Sequence, residues 1–154
     1  MATPSESERF WAKVEKTETC WVWKGATTDG YGRAWIGQKP LRSHRVSFEL
    51  ARGPIPDGMF LDHICYNRAC VNPDHLRLAT PKQNVENRAG VNRSNKSGVV
   101  GVFWHRQTGK WLARVVHNGR QHHAGLHSEI SDAEAAVTAK RNELFTHNNL
   151  DRVA

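Results

Sequence analysis

The chain has 154 residues, with 22 Lys or Arg against 15 Asp or Glu and a formal net charge of +7. This basic excess indicates a polyanionic partner, although charge alone does not distinguish DNA, RNA and membrane surfaces. No apolar run approaches the roughly 20 residues of a membrane span, and the N-terminus lacks the apolar core of a signal peptide. We therefore expect a cytoplasmic protein that does not enter membranes, whose three cysteines stay reduced and free to bind metal.

The first elements along the chain predict a mixed α and β domain. Residues 8–15 predict a short helix. Residues 20–23 and 31–36 flank the turn sequence of residues 28–30, so they are expected to pair as a hairpin. Residues 43–51 then predict a second helix.

A loop, a strand and a helix start are expected next. Residues 53–58 contain two glycines and two prolines and predict a loop, and residues 59–64 predict a short strand. Thr80, followed by proline and then by Gln83, predicts a helix opened by a capping box. Asn84 then lies on the first turn of that helix.

A change of composition marks a second domain. Residues 89–98 are small and polar and predict a linker. We therefore expect a first domain over residues 1–90, a linker over 91–98 and a second domain over 99–154. Residues 93–125 carry six basic residues and no acidic one.

The second domain is predicted to be a three-stranded antiparallel sheet with one helix. The strands are expected at residues 99–104, 111–116 and 120–125, joined by Thr108-Gly109 and by a primed turn at Asn118-Gly119. A capping box of Ser131 and Glu134 is expected to open the helix, which continues to about Phe145. Strand alternation directs Trp111, Ala113 and Val115 to the helix and Leu112, Arg114 and Val116 to the opposite face.

Two sets of candidate ligands are interleaved between residues 62 and 84. Cys65, Cys70 and His75 are spaced by five and five, and thiolates with an imidazole favour zinc in a four-ligand structural site. Cys20 is the natural fourth ligand. The alternative is that the cysteines are ordinary buried thiols and His75 is a surface histidine.

The second set consists of Asp62, His63, Asn72 and Asn84. Phosphodiester hydrolysis needs a base for the attacking water and a hard cation at the phosphate. A neutral histidine suits the first role, and oxygen ligands from Asp and Asn suit Mg²⁺. An Asp-His pair alone is weak evidence, because such pairs are common on protein surfaces.

Asp62-His63, Asn72 and His75 resemble the HNH motif of the ββα-metal (His-Me finger) nucleases. The cysteines and the later asparagine are also similar to those of the His-Cys box homing endonucleases. The resemblance covers about residues 20–90. It implies that His63 is the general base, that Asn84 holds catalytic Mg²⁺, and that zinc is held by Cys65, Cys70, His75 and an upstream cysteine.

One departure from the ordinary HNH pattern affects His75, which in that pattern binds the catalytic metal together with the residue at the place of Asp62. We favour zinc for His75, leaving Asp62 and Asn84 for Mg²⁺ or another divalent cation; the opposite partition stays open. Asn72 is then expected to bond across the loop and to orient His63. Arg45 is a candidate for stabilising charge on the cleaved phosphate, or is simply a solvated helix charge.

The second domain resembles the Apetala-two/ethylene-response-factor type of DNA-binding domain over about residues 95–147. The resemblance lies in Ser97-Gly98-Val99-Val100-Gly101-Val102, Gly109-Lys110-Trp111, Ala124-Gly125 and the alanine-rich helix. It implies that the sheet binds DNA. The expected contact residues are His105, Arg106, Lys110, Arg114, Arg120, Gln121 and His123.

The sequence thus predicts an α+β protein in which a zinc-stapled ββα-metal nuclease core precedes a small three-stranded antiparallel sheet plus one helix. Its expected function is that of a site-preferring endonuclease of the homing type, encoded by a phage or an intron, acting on double-stranded DNA. A zinc-stabilised DNA-binding regulator with an inactive nuclease core is the alternative. RNA binding is disfavoured because the sheet lacks an exposed aromatic pair, and homodimer formation is left open.

Overall fold

The computed structural model describes residues 5–87, 90–91, 94–148 and 151. It divides into two compact units, residues 1–84 and residues 85–154. The division falls at Asn84, within a helix; the predicted bounds of 1–90 and 99–154, with a linker over 91–98, stay a prediction. Within the described part of the chain, no helix is long and apolar enough to cross a membrane.

The elements of the first unit are short. Its helices are α1 (Glu6–Trp11), α2 (Ser43–Arg52) and α3 (Pro81–Glu86), the last of which continues past Asn84. Its strands are β1 (Val14–Lys16), β2 (Trp21–Trp23), β3 (Thr27–Thr28), β4 (Tyr31–Ile36), β5 (Lys39–Arg42), β6 (Phe60–His63) and β7 (Leu76–Ala79).

The first helix begins earlier and ends sooner than predicted. Ser5 caps α1, and Glu8 completes a capping box with it. The chain then forms β1, which pairs antiparallel with β2. The prediction of a helix over residues 8–15 is thus wrong at its C-terminal end, because Phe10 of α1 packs on Trp23 and draws the following residues alongside β2.

The predicted hairpin between residues 20–23 and 31–36 is wrong in its pairing. The turn at Asp29-Gly30 joins β4 to the two-residue strand β3, and β4 pairs on its other edge with β5. Sheet β3-β4-β5 packs on the core through Ala34, which lies with Phe10, Trp23, Val46 and Val71 in one buried cluster.

A second cluster supports the candidate site. Phe48 of α2, Leu61 of β6 and Leu76 of β7 are buried together. Strands β6 and β7 pair antiparallel, with His63 opposite Leu76, and α3 follows β7 directly. The capping box at the start of α3 is confirmed by hydrogen bonds in both directions between Thr80 and Gln83. This β6-β7-α3 arrangement is the expected ββα core.

The second unit is an antiparallel sheet with one helix, as predicted. Its elements are β8 (Val102–His105), β9 (Lys110–His117), β10 (Arg120–His127) and α4 (Ile130–Leu144), with β9 in the centre of the sheet. Ala113 and Val115 pack with Ala133 and Val137 of α4, and Trp111 lies against this cluster. Asn118 and Gly119 both have positive φ, as a primed turn requires.

Three details of the second unit differ from expectation. Helix α4 begins at Ile130 after Glu129 with no side-chain cap, so the predicted Ser131 capping box is wrong. The predicted linker over residues 91–98 is partly ordered, because the Ser97 hydroxyl accepts a hydrogen bond from Val99 N–H and donates one to the Val102 carbonyl. Residues 92 and 93 of this linker lie outside the described part of the chain. This turn delays the start of β8 to Val102.

Candidate functional site

The predicted zinc ligands come together. One ligand atom from each of Cys20, Cys65, Cys70 and His75 lies within 4.8 Å of every other. His75 Nδ1 is 3.7 Å from Cys20 Sγ and 3.6 Å from Cys70 Sγ. Three thiols and one imidazole converging on one point are the donor set of a closed structural zinc site, so the chemistry of these residues fits zinc.

Backbone hydrogen bonds between distant segments bring Cys20 to the other three ligands. Val71 N–H donates to the carbonyl of Trp21, and Trp23 N–H donates to the carbonyl of Ala69. These bonds tie β2 to the loop that carries Cys70. The loop itself is closed by a one-turn 3₁₀ helix (Pro73–His75), which orients His75.

Two thiols of this cluster, those of Cys65 and Cys70, hold their protons tightly in the protein alone. Burial raises the pKa of Cys65 to about 12, with further contributions from the neighbouring thiols. Burial also raises the pKa of Cys70, whose side chain has no exposed surface. Such groups bind a metal cation as thiolates, with release of their protons.

His63 is buried at the end of β6 and is held in one orientation. Its Nε2 lies 3.1 Å from the carbonyl oxygen of Cys70. Because a carbonyl oxygen can only accept, Nε2 must carry the hydrogen, and the lone pair of the neutral ring is then on Nδ1. Burial lowers the pKa of His63, although the hydrogen bond to Cys70 and the negative charge of Asp62 both act to raise it. The ring is therefore neutral at neutral pH and able to accept a proton.

His44 is a residue of this site that the sequence reasoning did not select. It lies on α2, 7% exposed, with its ring centroid 4.9 Å from that of His63 and 5.5 Å from that of Tyr31. Its Nδ1 is buried without a hydrogen-bond partner. Burial, followed by the charges of His63 and Arg45, lowers the pKa of His44 to about 3.

Asp62 is paired with an arginine. Arg77, opposite it on β7, donates from Nε and Nη2 to Oδ2 of Asp62 at 2.9 and 2.8 Å. The carboxylate is buried, at 7% exposure. The two bonds from Arg77 offset the cost of burying this carboxylate.

The remaining candidates in the first unit lie close to these groups in the chain. Asn72 caps the 3₁₀ helix by accepting from Asp74 N–H, so the expected link from Asn72 to His63 is wrong, and the Cys70 carbonyl orients the ring instead. Asn84 lies on the first turn of α3 with its side chain half-buried. Arg45 follows His44 on α2 and is also half-buried.

In the sheet of the second unit, the face turned away from helix α4 carries several of the expected DNA contacts. Arg114 stacks its guanidinium 4.9 Å from the Phe103 ring centroid and donates to Gln121. His123 is its cross-strand partner on β10. His105 and His123 line a depression of 380 Å³ on this unit. This face therefore presents an arginine stacked on an aromatic ring, with polar side chains beside it.

Three other expected contacts lie at the ends of strands in this sheet. Arg106 is exposed in the β8–β9 turn, and Lys110 begins β9. Arg120 is paired with His117, and His117 lies 5.8 Å from Phe145, just beyond α4. Because cross-strand partners share a face, Arg120 lies on the helix side, and its expected place on the outer face is wrong.

Comparison with known proteins identifies the first unit. A family model described as HNH endonuclease matches residues 42–86, the segment from the start of α2 to the end of α3. Protein 7.7 of Escherichia phage T7 is 41% identical over 80 residues, which are 51% of this chain and 62% of that protein. Protein 3.8 of the same phage is 40% identical over 84 residues, which are 54% of this chain and 69% of that protein.

A more distant relative carries the family name. An HNH endonuclease of Acanthamoeba polyphaga mimivirus is 36% identical over 83 residues, 53% of this chain and 41% of that protein. No solved structure matches the chain. The match spans less than two thirds of Protein 7.7 and of the mimivirus protein.

These matches show that the protein carries an HNH endonuclease domain over residues 42–86. The chain belongs to the same family as Protein 3.8 of phage T7, and its residues 42–86 match the HNH endonuclease model. The likeness of the second unit to the Apetala-two type of domain stays a prediction.

Proposed function

We propose that this protein is a DNA endonuclease of the homing type in which His63 is the general base. The observation that carries the proposal is the hydrogen bond from His63 Nε2 to the Cys70 carbonyl, which leaves Nδ1 as the proton acceptor. The lowered pKa keeps this nitrogen unprotonated at neutral pH. A base so held takes a proton from the water that attacks the phosphodiester and contributes on the order of 10²–10⁴-fold to the rate.

Asp62 and Asn84 offer the oxygen ligands that Mg²⁺ or a similar divalent cation prefers. Such a cation, when bound, would stabilise negative charge on the cleaved phosphate. Arg77 holds the Asp62 carboxylate in place through its ion pair. Arg45 adds a positive charge close to His44 and serves the same electrostatic role at the phosphate.

The cluster of Cys20, Cys65, Cys70 and His75 is proposed to hold one structural zinc. The position of His75 Nδ1 between two thiols supports the assignment of His75 to zinc rather than to the catalytic cation. Zinc and His63 are linked through Cys70, whose thiol is a ligand and whose carbonyl orients the base. Asn72 shapes the same turn.

The second unit is proposed to supply sequence preference. Arg114, Gln121 and His123 lie together on its sheet, and a sheet can enter the major groove and present such side chains to base edges. His105, Arg106 and Lys110 extend the cationic surface toward the backbone. The match to the HNH endonuclease model supports action on DNA, and the phage origin of the relatives supports action in an infected bacterial cell.

The test is incubation of the purified, zinc-loaded protein with supercoiled plasmid and Mg²⁺. We expect relaxed or linear plasmid, and no product when EDTA replaces Mg²⁺. A zinc-stabilised regulator with an inactive core would instead retard a DNA fragment in a gel without cutting it. That result, obtained with folded protein containing one zinc per chain, would overturn the enzymatic proposal.

A further inference from the structure

A second basic segment lies within the nuclease unit. Residues 30–48 carry four basic side chains and no acidic one. Strand β4 passes through this segment with its odd-numbered residues outward: Gly32 and Ala34 are buried, whereas Arg33 and Trp35 are exposed. Trp35 is 62% exposed, which is high for a tryptophan. Aromatic and arginine side chains that are exposed together are typical of binding surfaces.

Two arginines face each other across this sheet. Arg33 on β4 is the direct cross-strand partner of Arg42 on β5. Like charges in this position destabilise a sheet, and neither arginine pairs with a carboxylate among the residues that the structure describes. Both line a depression of 240 Å³ together with Thr28, Pro40 and Leu41. A bound anion would offset the repulsion.

The same face is continuous with the candidate active site. Tyr31, at the start of β4, has its ring centroid 6.0 Å from that of His63. The guanidinium groups of Arg42 and Arg68 lie 5.0 and 5.4 Å from the Tyr31 ring. From His63, therefore, the surface passes over Tyr31 to the arginine pair and then to Trp35.

We propose that Tyr31, Arg33, Trp35 and Arg42, together called the arginine face, bind the DNA strand next to the cleaved phosphodiester. Arg33 and Arg42 contact phosphates, and Trp35 packs on a sugar and base edge. The inference rests on the proposed nuclease function and adds a DNA contact independent of the second unit. Tyr31 and Trp35 are about 13 Å apart along the strand, at roughly 3.3 Å per residue. That length corresponds to about four nucleotides, at roughly 3.4 Å each.

The test compares full-length, zinc-loaded variants, each carrying His63→Ala, in binding to a duplex fragment in which the wild-type cleavage site has been mapped. The variants are Arg33→Ala/Arg42→Ala, Trp35→Ala and the control Arg9→Ala, an exposed arginine on α1. The double variant is expected to lower the slope of log affinity against log salt by about 1.8, for two lost phosphate contacts. Trp35→Ala should weaken binding about 5-fold or more, as expected for an anchoring aromatic side chain, without changing the slope, and Arg9→Ala should change neither.

A modified substrate tests the same inference without relying on the folding of any one variant. Neutral methylphosphonates placed within about four nucleotides on one side of the cut should weaken binding by the protein with an intact arginine face. They should have little further effect on the Arg33→Ala/Arg42→Ala variant. If neutralisation has the same effect on both proteins, or if the variants bind like the control, the arginine face does not contact DNA.

The two proposals can fail separately. Wild-type protein that cuts plasmid, together with arginine-face variants that bind normally, would overturn only the inference about this surface. Wild-type protein that neither cuts nor binds DNA would overturn the proposed function, and the inference with it.

Discussion

The burial of His44 predicts a specific dependence of stability on pH. The pKa of His44 is about 3 in the folded protein, against an ordinary value of 6.5. Below pH 6.5 the unfolded chain takes up a proton at this residue and the folded chain does not, so stability falls as the pH falls. Between pH 7.5 and 5.0 the loss from this one group is about 2 kcal/mol, since the slope approaches about 1.36 kcal/mol per pH unit only below pH 6.5.

The variant His44→Gln removes this loss because glutamine does not titrate. Urea unfolding of the zinc-loaded wild type and of the variant, at pH 7.5 and at pH 5.0, isolates the effect, since the other titrating groups are common to both. We expect the variant to gain about 2 kcal/mol relative to the wild type on going to pH 5.0. An equal stability difference at the two pH values would refute the buried, neutral state of His44.

Three other predictions concern zinc, packing and DNA recognition. Metal analysis should find one zinc per chain. The variant Cys70→Ser should lose both the zinc and much of the folding stability, because structural zinc contributes directly to folding. A wild-type protein that is folded and free of zinc would contradict this. Gly101→Ala should cost about 2–5 kcal/mol in thermal unfolding, because Gly101 has φ +86° and a Cβ would lie 2.6 Å from the Arg114 carbonyl oxygen. Gly109→Ala, at φ +60° with open space around it, should cost only the backbone strain of about 1–3 kcal/mol. Arg114→Ala should relax sequence preference at one base pair, whereas Lys110→Ala should weaken binding to all sequences alike and lower the salt slope by about one. Binding selections on a randomised site measure both effects. The same loss of affinity for both variants, independent of sequence, would contradict this difference between the two residues.

Local signals in the sequence predicted much of the fold. The capping box of Thr80 and Gln83 and the Asn118-Gly119 turn each depend on neighbouring residues, and the structure has both. The regular spacing of Cys65, Cys70 and His75 could likewise be detected because one loop supplies these three ligands. Cys20 completed the set as the other cysteine in the chain.

Tertiary contacts determined what the sequence did not reveal. Strand β1 is short and polar, so nothing local indicated that it, rather than β4, would pair with β2. His44 could have been found from α2, whose buried face includes Ser43 and Ser47. Polar side chains on the buried side of a helix indicate a site or a hydrogen-bonded contact. The arginine face depends on the pairing of β4 with β5, which was not predicted.

The most direct test of the account is single-turnover cleavage of a plasmid by the wild type and by His63→Ala, side by side. His147→Ala provides a matched control in the turn after α4. With zinc content and DNA affinity equal in all three proteins, we expect His63→Ala to cut on the order of 10²–10⁴-fold more slowly and His147→Ala to cut at the wild-type rate. Cleavage by His63→Ala at the wild-type rate would show that His63 is not the base and that the active site lies elsewhere.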